Sequence, residues 1–130
     1  MKYGNTVTVA LPMAEALTAV RAAFKDQGFG ILTEIDIQAT LKEKIGAELE
    51  PYVILGACNP ELARRALDIE PEIGLLLPCN VVVRQSRDTV LVHALDPEVM
   101  VSIPGQPGLQ GIADEAGARI SRALAVLGAH

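Results

Sequence analysis

The sequence predicts a two-layer α+β domain: about five strands in one mixed or mainly antiparallel sheet, with helices packed on one face. Three observations carry that prediction. Segments of strand-like alternation are interleaved with helical stripes along the chain. Residues 52–58 and 75–83 are almost wholly apolar, as strands buried on both faces are. The composition, 50% hydrophobic but only 3% aromatic, supplies an aliphatic core.

Each element follows in order. Residues 5–10 alternate Thr6 and Thr8 with Val7 and Val9, the period-two pattern of a strand with one wet face. Pro12 suits a first helical position, and Met13, Leu17, Val20 and Phe24 then form one apolar stripe, closed by Gly28 as a left-handed cap. Phe29, Ile31, Thr33 and Ile35 alternate with Gly30, Leu32, Glu34 and Asp36 as a second strand. Asp36 can cap a short helix with Ile37, Leu41 and Ile45 on one face and Gly46 at its end. Between the two apolar segments, Asn59-Pro60-Glu61 is a strong helix start: an amide cap, a proline where no amide hydrogen is needed, and a carboxylate at the positive end of the dipole. That helix runs to about Ile69. Residues 81–85 and 89–95 flank Ser86-Arg87-Asp88 as a hairpin. Asp96-Pro97-Glu98 starts another helix, which Pro104 limits to a turn or two. Ile112, Ala116, Ile120, Leu124 and Leu127 stripe a terminal helix, with Glu115 and Arg119 paired on its wet side. A ferredoxin-like arrangement is the nearest alternative architecture.

At 130 residues the chain reads as one domain, 1–130, able to bury roughly two-thirds of its unfolded surface. Sixteen acidic against eleven basic residues give a formal charge of −5, and Trp is absent, so neither phosphate neutralisation nor base stacking is provided for and nucleic acid is not an expected partner. No segment approaches the roughly 20 apolar residues that span a bilayer, so a membrane is not expected either. Lys2, residues 7–13 and Ala14-Glu15-Ala16 imitate a signal peptide, but Thr8 and Pro12 interrupt the apolar stretch and cleavage would split an amphipathic helix. The reading is cytoplasmic, with Cys58 and Cys79 as reduced thiols.

Cys58 precedes the Asn59 helix start, where the dipole would lower a thiol pKa; the alternative is a small buried hydrophobe ending a strand. Cys79-Asn80 repeats the Cys-Asn pair. Asn59 is explained as a cap, whereas Asn80 within an apolar strand would need partners for a buried amide, either structural or on a ligand. Glu34 and Asp36 share a strand face near Thr40 and Lys42, either as a perturbed pair or as a solvated edge and a helix cap. For a metal, Cys58, Cys79, His93 and His130 are the available ligands, without zinc-finger spacing, and no cofactor is implied. His93 reads as solvated or core-capping more readily than as a base, and no Gly-x-Ser-x-Gly elbow exists to build a serine triad. Gly28-x-Gly30 precedes a strand, so there is no dinucleotide fingerprint, and Gly105-Gln106-Pro107-Gly108 lacks basic neighbours and reads as a turn.

Four blocks, residues 33–36 (Thr-Glu-Ile-Asp), 40–46 (Thr-Leu-Lys-Glu-Lys-Ile-Gly), 54–60 (Ile-Leu-Gly-Ala-Cys-Asn-Pro) and 76–83 (Leu-Leu-Pro-Cys-Asn-Val-Val-Val), together resemble the prokaryotic family catalogued as domain of unknown function 302. The resemblance covers nearly the whole chain. It implies a small α+β domain, usually alone in its chain, that dimerises and has no agreed activity. It also marks Glu34, Asp36, Thr40, Lys42, Cys58, Asn59, Cys79 and Asn80 as matching the family pattern.

The leading expectation is a homodimeric, non-catalytic module that binds or senses a small molecule, with a pocket where the two Cys-Asn pairs and the Glu34 to Lys42 segment meet. A second copy would cover the sheet face that helices leave bare. Parallel neighbouring strands joined by a right-handed crossover would instead put Cys58 and Cys79 at opposite ends. The alternatives are a thiol redox protein or cysteine-nucleophile enzyme using Cys58 with Cys79, and a purely structural or interaction domain.

Overall fold

The computed structural model describes residues 2–129. Its strands are β1 (Gly4–Val9), β2 (Gly30–Asp36), β3 (Tyr52–Cys58), β4 (Cys79–Ser86) and β5 (Thr89–Leu95). Its helices are α1 (Met13–Asp26), α2 (Ile37–Ile45), α3 (Pro60–Ile69), the short α4 (Val99–Ser102) and α5 (Gln110–Gly128). The strands form one sheet in the order β1-β5-β4-β3-β2, antiparallel throughout. The α+β class is as the sequence predicts. The ferredoxin-like alternative is not adopted, because the first two strands lie at opposite edges and a second helix intervenes before β3.

Alternation along each strand sorts the side chains. Val9, Val53, Leu55, Val81, Val83, Val90 and Val92 point to one face and pack against Val20 and Phe24 of α1 and Ile120, Leu124 and Leu127 of α5. A second, smaller cluster joins Leu62 and Ala66 of α3, Cys79, Met100 and Val101 of α4, and Ile112, Ala113 and Ala116 of α5. The opposite face carries Ile35, Ile54, Val82, His93 and Thr6 in one row across all five strands, and Tyr52, Arg84, Leu91 and Thr8 in the next. Ile54, Val82 and Leu91 are only half-buried there. The apolar central strands are therefore covered by helices on one face alone.

Local chemistry sets the boundaries. Asn59 Oδ1 accepts from the Leu62 amide at 3.1 Å and starts α3, while Asp36 Oδ1 accepts from the Ala39 amide at 2.9 Å and starts α2. Gly46 ends α2 in the left-handed conformation that a Cβ disfavours. The apolar segment 75–83 is not one strand: Pro71–Leu76 forms a 3-10 turn around buried Ile73, and β4 begins only at Cys79. The hairpin between β4 and β5 turns on Arg87 and Asp88, with Arg87 at φ 57°.

Candidate functional site

The two cysteines lie at the same end of the sheet because their strands run antiparallel, although Cys58, one step beyond Ala57, has the parity of the helix-free face and Cys79 that of the helix-covered one. Ala57, the residue before Cys58, pairs with Cys79, so the end of β3 and the start of β4 lie together. This pairing puts the two cysteine Cα atoms about 6 Å apart, from ladder spacing and one residue of offset. The polypeptide between them, α3 and the 3-10 turn, loops out and returns to the same end of the sheet.

Both cysteines line a small cavity of about 30 Å³, with Phe29, Asn59, Leu62 and Met100 among its other walls. That volume accommodates a water or a single ion, not an organic molecule. Cys58 is half-buried and Cys79 buried. Burial pushes the Cys79 thiol up to about 11, with the neighbouring Cys58 adding to the effect, and burial raises Cys58 as well. For Cys58 the direction is opposite to the lowering expected from the α3 dipole, and its cause is loss of hydration. Asn59, 9% exposed, is committed to capping. Its amide and Arg119 Nη1 crowd Gly28, where an added Cβ would lie 2.9 and 3.0 Å from them and where φ is 85°.

The remaining marked residues lie elsewhere. Asn80 points to the helix-free face opposite Gly56 and is exposed, so it is not the buried amide the apolar sequence suggests; one step along a strand reverses the side chain. Glu34 pairs with Leu55 and Asp36 with Val53, whereas it is Gly30 that pairs with Cys58. Glu34 is therefore roughly 10 Å and Asp36 roughly 17 Å along the strand from the thiol end. Glu34 forms an ion pair with Arg21, Asp36 caps α2, and Thr40 Oγ1 donates to the Asp36 carbonyl at 2.7 Å. Lys42 borders a separate groove beside Gln38 and Leu49. The composite pocket expected from the sequence does not form within one chain, because strand register carries the two motif groups to different ends of β3.

His93 is on the helix-free face opposite Val82, while Cys79 faces the helices, so no Cys-His pair forms. Among the described residues no group of three His, Cys, Asp or Glu side chains converges as a metal site. His93 belongs instead to a polar chain that sequence reading missed. Arg84 Nε donates to His93 Nε2 at 2.9 Å, and Nδ1 lies 2.7 Å from Thr6 Oγ1. Since Nε2 accepts, the neutral ring carries its hydrogen on Nδ1 and donates to Thr6, a tautomer assigned from these partners. Burial and the Arg84 charge lower the His93 pKa. Arg84 Nη1 also reaches Glu50 at 3.3 Å. Beside this chain lies a hollow of about 430 Å³ lined by Lys2, Tyr3, Tyr52, Val82, Arg84 and His93 among others, bringing together both tyrosines of the protein. The available sequence signal was polar residues at one parity inside apolar strands, Arg84 after three valines and His93 between Val92 and Ala94.

No helix among the described residues is long and apolar enough to cross a membrane. A search of curated proteins finds no match. Among solved structures, the crystal structure of an uncharacterized conserved protein DUF302 from Bacillus stearothermophilus is similar at 31% identity, covering 98% of this chain and 99% of that one with a TM-score of 0.91. Residues 5–127 match the model of the family described as domain of unknown function DUF302. With the family pattern matched from β1 to the end of α5 and the same fold in a solved relative, this chain belongs to the DUF302 family.

Proposed function

We propose that the chain is a non-catalytic small-molecule-binding module that works as a homodimer, its ligand seated in the hollow of the helix-free sheet face. The observation that carries this reading is the hollow itself. Its volume of about 430 Å³ falls within the range of small-molecule sites, and it combines apolar walls with a few fixed polar groups. Arg84 is held by His93 and Glu50 through Nε and Nη1, which leaves Nη2 without a partner among the described residues. With Lys2 on the same wall, the seat suits a compact anion carrying a planar or apolar body that the tyrosines can flank. A second copy laid over Ile35, Ile54, Val82 and Leu91 would bury these side chains and roof the hollow. A cysteine nucleophile is disfavoured by the raised thiol pKa values, which favour the unreactive protonated form.

The test pairs light scattering with thermal melts in benzoate and in inorganic phosphate. A mass twice 13.8 kDa and a benzoate-dependent rise in Tm that Arg84→Gln abolishes are expected. A monomer whose Tm neither anion moves would overturn the proposal.

A further inference from the structure

On the wall of the hollow, His93 stands between a hydroxyl and a cation. Its Nε2 accepts from Arg84 Nε at 2.9 Å, and its Nδ1 lies 2.7 Å from Thr6 Oγ1. We propose that the hollow takes up a carboxylate together with one proton, which His93 Nε2 receives, so that His93 and Arg84 become paired cationic donors to the same ligand. The inference rests on the reading of the hollow as an anion seat and adds how that seat is regulated.

Hydrogen-bond capacity is the first argument. Neutral His93 is saturated: one ring nitrogen donates to Thr6 and the other accepts from Arg84, so the ring has no donor left for an anion. A proton on Nε2 makes both nitrogens donors and sets two N–H groups against each other across 2.9 Å, a contact that repels. A carboxylate seated against both removes the repulsion, because each N–H then has an oxygen acceptor and both bonds are charge-assisted. The proton comes from water, the bond from Arg84 Nε to His93 Nε2 is lost, and two N–H···O bonds to the ligand replace it.

Local charge is the second. The charged groups around His93 are Arg84 of β4, Glu50 ahead of β3 through its ion pair with Arg84, and Lys2 ahead of β1, while Tyr3 and Tyr52 add neutral phenols. Two cations and one carboxylate leave one net positive charge while His93 is neutral. An anion and a proton that enter together keep that balance, whereas either alone shifts it by a full unit. Burial and Arg84 disfavour the imidazolium in the empty hollow, and an anion within hydrogen-bond reach acts in the opposite direction. Affinity for the anion therefore rises as pH falls below the His93 pKa of the filled hollow, and levels off below that of the empty one.

The experiment titrates the full-length protein with benzoate by calorimetry at pH values of about 5.5, 6.5 and 8, each in two buffers of different ionisation enthalpy. Benzoate stays ionised over this range, as carboxylates do, so the change reports the protein. Binding about tenfold tighter at the acid end than at the alkaline end is expected, with uptake of up to one proton per benzoate in between. His93→Gln keeps an acceptor for Arg84 and a donor for Thr6 but cannot be protonated, and should flatten the dependence to within about twofold. Proton NMR of His130→Gln, in which His93 is the one histidine left, supplies a readout with His93 intact: saturating benzoate should raise the His93 titration midpoint by about one pH unit. Equal affinity at both ends of the range, or an unmoved His93 midpoint, would overturn this inference and leave the anion seat standing where Arg84→Gln still abolishes binding. Absence of benzoate binding at every pH would overturn both.

Discussion

Replacing Gly56 with alanine tests how the centre of the helix-free face is packed. Gly56 pairs with Thr33 on one side and Asn80 on the other. An added Cβ would overlap Thr33 Oγ1 and come 2.7 Å from Pro78 Cγ. Thr33 is β-branched, so one of its two other χ1 wells merely exchanges the hydroxyl for the methyl and the other moves both heavy atoms off the preferred rotamer, and the Pro78 ring has no rotamer through which to retreat. Overpacking of this kind costs about 1–3 kcal/mol. Alanine returns about 0.5–1 kcal/mol, because glycine is the poorer strand residue. The expected net loss is about 1 kcal/mol, read by urea unfolding followed by circular dichroism at fixed protein concentration, since the chain has no tryptophan to report. Thr33→Ala removes the overlapping hydroxyl from an exposed edge strand and should change stability by less than about 0.5 kcal/mol alone. In the double variant it should recover at least about 0.5 kcal/mol of the Gly56→Ala loss. Wild-type stability in Gly56→Ala, or strict additivity in the double variant, would refute the reasoning.

Further outcomes follow from individual groups. The folded His93 pKa lies below the unfolded value of about 6.5, so on acidification the unfolded chain takes up the proton first; this histidine's share of stability is present above that value and is lost as pH falls through the window down to the lowered folded pKa. Subtracting the stability profile of His93→Gln from that of wild type should show this loss, and parallel profiles would contradict it. Iodoacetamide should modify Cys58 slowly at neutral pH and progressively faster above the ordinary thiol range, with Cys79 slower still; a Cys58 rate that plateaus near pH 7 would show an activated thiolate instead. Asn59→Ala should cost about 1–2 kcal/mol in urea unfolding, while Asn59→Asp, which keeps the capping acceptor, retains most of it; equal losses would shift the explanation away from the cap. Arg87→Gly, relieving a left-handed residue, should stabilise by about 0.5 kcal/mol after glycine's added unfolded-state entropy, and a loss of stability would argue against strain at that turn.

Where the determinants are local, the sequence announces them. The Asn59-Pro60 start and the Gly46 stop are set within one turn of backbone, and each is found where local chemistry puts it. The segment 75–83 misleads because buried 3-10 turns and buried strands share a composition, and periodicity cannot separate them over so few residues. Asn80 is misassigned for a related reason: in a sheet covered on one side, an apolar strand still has an open face, and parity relative to Cys79 decides which residues occupy it. The Thr6–His93 contact spans 87 positions and exists because β1 joins the edge of the sheet beside β5. Pairing partners of that kind are not written in either strand. The same holds for the distance between Cys58 and Glu34, which the β2–β3 register sets.

Alternation along β4 separates the two candidate sites physically. Cys79 turns toward the helices, into a small apolar cavity that favours a neutral thiol. Val82 and Arg84 turn the other way, onto a solvated hollow where charge and hydrogen bonds can select an anion. Three residues of strand, roughly 10 Å, and the thickness of the sheet lie between Cys79 and Val82. A substitution at one site therefore leaves the side chains of the other unchanged, and effects should add when both are altered. Coupling between the packing around Cys79 and anion binding at Arg84 would require a movement of β4 as a unit, and its absence is what two independently packed faces of a rigid strand demand.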